Sequence, residues 1–214
     1  MASKVRTDLK IIVVGQPGAG KTSFVRRWTS KSYQETYQPT VVSEFGFKIY
    51  QYKEDLYRIQ LWDIGGQDKS SAMAKVFSRD SHGCIVISDC NELSSLEGTL
   101  NWQNLVKQEA NFIDGGNLPF ILIQNKIDLI EDKDELLKIE EKTKKISEDN
   151  KFDKYYMTSV KNNINVEEAM NYLIENIIER IQNYSKSFKN GDSNVQRDSL
   201  ALEKVSIRKK STCC

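Results

Sequence analysis

The chain has 214 residues, 39% of them hydrophobic and 29% charged. At about 100 to 200 residues per domain this suits one packed domain plus a tail, and it argues against a wholly disordered, collagen-like or coiled-coil chain. With 31 Lys and Arg against 30 Asp and Glu the net charge is +1, so no global field draws the chain toward nucleic acid, and no nucleic-acid partner is expected.

The longest apolar runs are far shorter than the roughly 20 residues that span a bilayer. The N-terminal stretch from Met1 to Asp8 has no apolar signal core, so the chain reads as cytosolic, with Cys84 and Cys90 as reduced, buried thiols.

In chain order, Lys10 to Val14 is a short β-branched run ending at Gly15, followed by a glycine-rich stretch and a helical segment from Lys21 to about Trp28. Glu44 to Lys53 and Leu56 to Trp62 read as an antiparallel hairpin turning at Lys53, Glu54 and Asp55. Three buried apolar runs follow: Cys84 to Ser88, Pro119 to Gln124 and Lys154 to Met157. Helices are expected over Ser95 to Ile113, Asp134 to Asp149 and Val166 to Asn183, the last with Ala169, Leu173, Ile177 and Ile181 on one face. That alternation predicts βαβ units and a parallel sheet, whose ligand sits at the carboxyl ends of the strands. After about Tyr184 the apolar periodicity lapses into a polar linker.

Gly15-Gln-Pro-Gly-Ala-Gly-Lys-Thr22 matches the phosphate-loop pattern and stands between strand and helix, the context that makes it work. Backbone N–H groups bared by the glycines, together with the helix N-terminus, would face phosphates. Lys21 would neutralise the β- and γ-phosphates and Thr22 would bring its hydroxyl to Mg²⁺. Such a loop alone fits ATPases, GTPases and small-molecule kinases. Asn125-Lys126-Ile127-Asp128, after an apolar strand, narrows the choice: the Asp128 carboxylate can accept two hydrogen bonds from guanine, whereas adenine would leave it unpaired. Between them, Asp63-Ile-Gly-Gly66-Gln67 follows the strand ending at Trp62. Asp63 could hold Mg²⁺ through water, the Gly66 N–H could approach a γ-phosphate, and Gln67 could orient the attacking water.

With these three elements in this order, the chain resembles the Ras-like small GTPases over residues 8–182, leaving 183–214 as a flexible tail. The resemblance implies an α/β, P-loop NTPase (Ras-like) fold: a mostly parallel six-stranded sheet with one antiparallel edge strand and helices on both faces. It implies slow hydrolysis of GTP to GDP with Mg²⁺ as cofactor. Gln67, Lys21 and Thr40 would be catalytic, and Thr22, Thr40 and Asp63 would lie around the metal. The nucleotide would contact Gly15, Gly18, Ala19, Gly20, Lys21, Thr22 and Ser23, with Thr40 and Gly66 at the γ-phosphate. Asn125, Lys126 and Asp128, with Ser159, Val160 and Lys161 from Met157-Thr-Ser-Val-Lys161, would line the base pocket, and Tyr33 would pack on the guanine.

Within that resemblance, Cys213 and Cys214 look like the doubly prenylated tail of Rab proteins, and the basic Arg208-Lys209-Lys210 before them would add attraction to anionic lipid. The implied protein is monomeric, sits on the cytoplasmic face of an intracellular membrane and cycles with the cytosol. Its partners would be GTP or GDP, an exchange factor, an activating protein that inserts an arginine, effectors for vesicle-mediated transport, and an escort or GDI-type chaperone.

Several residues depart from the Rab pattern. Gln38-Pro-Thr-Val-Val-Ser-Glu-Phe45 is closer to Ras and Rho proteins, Asp68 replaces the usual Glu after Gln67, and Lys69 to Phe77 lacks the usual aromatic-rich segment. Leu56 to Ile64 and Asn101 to Leu129 resemble the Rab subgroup of lysosome-related organelles. Pro17, beside the expected place of Gln67, removes a backbone donor and fixes φ; it either slows intrinsic turnover or simply stiffens the loop. Two alternatives stay open: a guanine-nucleotide-binding scaffold with negligible hydrolysis, suggested by Pro17 and opposed by Gln67, and a small-molecule kinase, opposed by Asn125 to Asp128. His82 and the tryptophans Trp28, Trp62 and Trp102 read as structural, with Trp62 next to Asp63 a candidate reporter of nucleotide state.

Overall fold

The alternating apolar runs assemble into a single sheet. The computed structural model describes residues 5–33, 43–65 and 70–189. The strands are β1 (Val5–Gly15), β2 (Ser43–Tyr52), β3 (Asp55–Ile64), β4 (Gly83–Asp89), β5 (Phe120–Asn125) and β6 (Lys154–Met157). The helices are α1 (Lys21–Ser30), α2 (Ser70–Ser78), α3 (Leu93–Glu97), α4 (Thr99–Glu109), α5 (Lys133–Asp149) and α6 (Val166–Lys189). The sheet runs β2-β3-β1-β4-β5-β6; β2 is antiparallel to β3 and every other pairing is parallel. This is the expected mostly parallel six-stranded sheet with one antiparallel edge strand.

β5 is buried at every position and β4 at all but Asp89, so both faces of the sheet's centre are covered. α6 presents Val166, Ala169, Met170, Leu173, Ile174, Ile177 and Ile178 to the core at helical spacing, each worth about 1.5 to 3 kcal/mol of burial for the larger side chains. Its first turn carries Glu167 and Glu168, which complement the positive helix end. Asp132 caps α5 by accepting the Asp134 N–H at 2.8 Å.

Three boundaries differ from the sequence expectation. β1 begins at Val5 rather than Lys10, because its parallel pairing with β3 recruits polar residues: Asp8 accepts from Arg58 Nε at 2.8 Å. The single helix expected over Ser95 to Ile113 is divided into α3 and α4 at Gly98 and ends at Glu109, where Ala110 turns extended. Gly98 itself keeps helical dihedrals, and a Cβ there would meet Gln16 Nε2 at 2.7 Å, so its glycine admits a neighbouring side chain rather than an unusual turn. α6 runs on to Lys189, through residues that read as linker, with Ser185 and Ser187 hydroxyls donating to the Ile181 and Asn183 carbonyls one turn back.

Cys84 and Cys90 are buried free thiols. His82 Nδ1 accepts the Lys10 N–H at 3.1 Å while its own N–H donates to Lys10 O, and burial pushes its pKa down to about 4, a neutral ring tying β1 to β4. Trp28 and Trp102 lie in the core, and Trp28 Nε1 donates to Glu167 at 3.0 Å. Trp62 is half-buried between Phe45 and Phe77. No helix among the described residues is long and apolar enough to cross a membrane.

Candidate functional site

Parallel pairing sets the carboxyl ends of the central strands side by side: Gly15 lies opposite Ile87, Val13 opposite Asp63, and Asp89 opposite Asn125. The loop from Gly15 to Thr22 leaves this edge and enters α1 directly. Gly15 has φ +144°, and a Cβ there would sit 2.0 Å from Ile87 O, so the loop can leave the sheet only at a glycine. Gln16, Pro17, Gly18 and Ala19 make a turn closed by the Ala19 N–H on Gln16 O at 3.4 Å, with Gly18 at φ +79°. Pro at the second place and a positive-φ Gly at the third is the type II pattern, so Pro17 is preset for its turn.

Lys21 folds back over the loop, and its Nζ donates to Gly15 O at 2.9 Å and Gln16 O at 2.8 Å. Burial lowers its pKa to about 8, an effect partly offset by Asp63. Thr22 Oγ1 donates to Asp63 Oδ2. Asp63 is fully buried, and burial raises its pKa to about 6 against the opposing pull of Thr22 and Lys21. Its Oδ1 has no hydrogen-bond partner among the described residues. A buried carboxylate with one oxygen unsatisfied, beside a hydroxyl at the head of a helix, is a donor set that fits a hard divalent cation such as Mg²⁺. Ser23 follows in the first turn of α1.

At the other end of the edge, Asn125 holds three segments together. Its Nδ2 donates to Ala19 O at 2.9 Å, and its Oδ1 accepts from Thr158 Oγ1 at 3.1 Å and from the Val160 N–H at 3.2 Å. The fit is close, since a Cβ on Gly20 would approach Asn125 Nδ2 to 2.4 Å. Lys126 takes the left-handed conformation, φ +69°, and its Nζ pairs with Asp89 Oδ2 at 2.6 Å. Asp128 lies in the 3-10 turn Ile127–Leu129 and accepts from Ser159 Oγ, which also accepts the Asn162 N–H at 3.0 Å. Tyr33 is partly buried against the core.

Gly15, Gly18, Ala19, Gly20, Lys21, Thr22, Ser23 and Asp63 thus surround one end of the sheet edge, and Asn125, Lys126, Asp128, Ser159, Val160 and Lys161 the other. Thr40, Gly66, Gln67, Cys213 and Cys214 lie outside the described residues, as do residues 38–42, Asp68 and Lys69 of the departures from the Rab pattern, whereas Ser43 to Phe45 open β2 and Ser70 to Phe77 lie in α2. Sequence reasoning missed Asp89, Thr158 and Arg27, whose guanidinium reaches the backbone at Val160 and Lys161. Asp89 closes a buried strand beside the ligand edge and Thr158 stands inside the Met157–Lys161 motif, both usable signals; Arg27 carries none.

A phosphate loop at the first strand of a six-stranded mixed sheet, with helices on both faces, defines a P-loop GTPase fold. The Ras family model matches residues 10–179. Over 206 residues the chain is 30% identical to human Ras-related protein Rab-32, covering 96% of this chain and 88% of that one. It is 31% identical to Ras-related protein Rab7 of Cenchrus ciliaris over 178 residues, covering 83% and 86%. With human Ras-related protein Rab-7L1 the identity is 29% over 212 residues, covering 96% of each. The chain belongs to the Ras family, as a Rab-like small GTPase.

Proposed function

We propose that this protein binds GTP and GDP along the sheet edge, hydrolyses GTP slowly, and serves as a membrane-anchored switch that recruits effectors in vesicle-mediated transport. The observation that carries the reading is Asn125, whose side chain joins the phosphate loop at Ala19 to the base-reading segment at Val160, so that one nucleotide would touch both ends. At neutral pH Lys21 remains mostly cationic, and phosphates would replace the Gly15 and Gln16 carbonyls as its partners. Asp128 would accept from the guanine ring N–H and amine, with Ser159 orienting its carboxylate. Thr22, Asp63 and Thr40 would hold Mg²⁺, which when bound would supply positive charge against the phosphates. Gln67 would align the attacking water, and Thr40 and Gly66 would sense the γ-phosphate, ordering their two loops until hydrolysis releases them.

We assign the nucleotide-binding unit to residues 8–182 and anchoring to the tail 183–214, through prenylation of Cys213 and Cys214. The protein would work as a monomer on the cytoplasmic face of an intracellular membrane, cycling with the cytosol on an escort or GDI-type chaperone. An exchange factor and an arginine-inserting activating protein would set the cycle. Effectors would meet an apolar stripe on edge strand β2, where Phe45, Phe47 and Ile49 are 53%, 57% and 45% exposed. That stripe continues through Trp62 to Phe77 on α2 and would fit an apolar protein surface.

The test is single-turnover hydrolysis of GTP, with ATP as control, on the wild type and on Gln67→Leu. Slow hydrolysis lost in the variant, with guanine nucleotides bound far tighter than ATP, is the expected result. Tight GTP binding without Gln67-dependent turnover would leave a scaffold instead, and equal binding of ATP would overturn the guanine reading.

A further inference from the structure

A strongly basic side chain from the helix behind the phosphate loop reaches the backbone of the Ser159–Lys161 segment. Arg27 Nε donates to Val160 O at 2.9 Å, and its Nη2 donates to Lys161 O at 2.8 Å. The same guanidinium lies over the Tyr33 ring, 5.3 Å from its centre, and Nη1 reaches Lys31 O at 3.4 Å where α1 ends. A planar peptide points its C=O and N–H in opposite directions. The peptide unit whose carbonyl is Lys161 O therefore sends its other pole, the Asn162 N–H, toward Ser159 Oγ, which in turn donates to Asp128. The Val160 residue is held from both sides, by Asn125 on its N–H and by Arg27 on its carbonyl.

We infer that Arg27 is a positioning residue for guanine selection. It fixes the Val160–Lys161 backbone so that Ser159 holds Asp128 in its base-reading orientation. The inference rests on the guanine reading above.

The experiment uses full-length protein stripped of nucleotide with EDTA and titrated with GDP and with inosine diphosphate, which lacks the exocyclic amine that Asp128 would bind. Wild type is expected to prefer GDP by about tenfold or more, as the loss of one hydrogen bond to a carboxylate requires. In Arg27→Met that preference should fall by about tenfold, while the dependence of GDP affinity on Mg²⁺ stays as in wild type; Arg27→Lys, able to satisfy one carbonyl, should fall between. A structural role alone would weaken both nucleotides equally and leave their ratio unchanged, which would overturn the inference. If Arg27→Met does not fold, an unchanged ratio in Arg27→Lys overturns it equally. A wild type indifferent to the amine would overturn the guanine reading and this inference with it, whereas a discriminating wild type with discriminating variants would overturn the inference alone.

Discussion

The two ends of the sheet edge are built by different means. Apart from Asp63, which Thr22 binds, the Gly15–Thr22 end is one unbroken stretch of chain, shaped by backbone conformation, with Lys21 bound to carbonyls of its own loop. The Asn125–Asp128 end is assembled from distant segments joined by side chains: Asn125 and Arg27 reach the backbone of Ala19 and of Val160 and Lys161 from more than a hundred residues away, and Ser159 binds the Asp128 side chain. The first end should therefore fail when a Cβ is added and the second when a polar side chain is removed.

The largest effect is expected from Gly15→Ala. The new Cβ would lie 2.0 Å from a backbone carbonyl at a φ of +144°, and nothing flexible can yield. A loss of roughly 4 kcal/mol or more is expected, visible as a collapse of Tm or of soluble yield. A near-wild-type Tm would show that this end is not set by backbone sterics and would break the contrast. Next comes Asn125→Ala, which strips three hydrogen bonds from a buried site and leaves Ala19 O and the Val160 N–H without that partner. Urea unfolding of the nucleotide-free protein should report a loss of about 2 to 4 kcal/mol. A loss under about 1 kcal/mol would mean that packing, not this side chain, joins the segments.

The same contrast explains what could be read from the sequence. The phosphate loop and Asn125-Lys-Ile-Asp128 were legible because each is contiguous and each sits at the end of a buried apolar strand. Arg27 was not, since a basic residue in an amphipathic helix is indistinguishable from a solvated one until the chain is folded and brings Val160 beside it. The alternating runs predicted βαβ units and a parallel sheet, yet β1's start at Val5 and α6's reach to Lys189 depended on Asp8 meeting Arg58 and on serines bonding their own helix, neither of which leaves a hydrophobic period. Gly98 looks like a helix breaker by type, but its role is to make room for Gln16.

A control remote from both ends sharpens the comparison. His82 is held at a pKa of about 4 against an ordinary 6.5, first by burial and then by Lys10, with Asp80 and Asp8 pulling the other way. Because its folded pKa is depressed, the unfolded chain binds more protons between pH 6.5 and 4, so stability is complete above that window and is lost as pH falls through it. The loss should approach roughly 2 to 3 kcal/mol. His82→Asn, which keeps an acceptor for the Lys10 N–H, should flatten that pH profile. GDP affinity at neutral pH should stay as in wild type, unlike the changes at either end. A fall in affinity with His82→Asn would show that global stability, not local construction, governs binding.

The smallest effect concerns a side-chain tie near the phosphate end, where Arg26 of α1 donates from Nη2 to both Glu44 oxygens, at 2.8 and 2.9 Å, as β2 begins. If that end is set by backbone, the tie should matter little: both side chains are more than a third exposed to solvent, which screens the pair. Glu44→Gln should lower stability by only about 0.2 to 1 kcal/mol, and the difference from wild type should shrink further in about 1 M salt. Unfolding curves for both proteins at low and high salt give the answer. A salt-independent loss above about 2 kcal/mol would place Glu44 with Asn125, as a side chain on which its segment depends, and the two ends would then differ in degree rather than in kind.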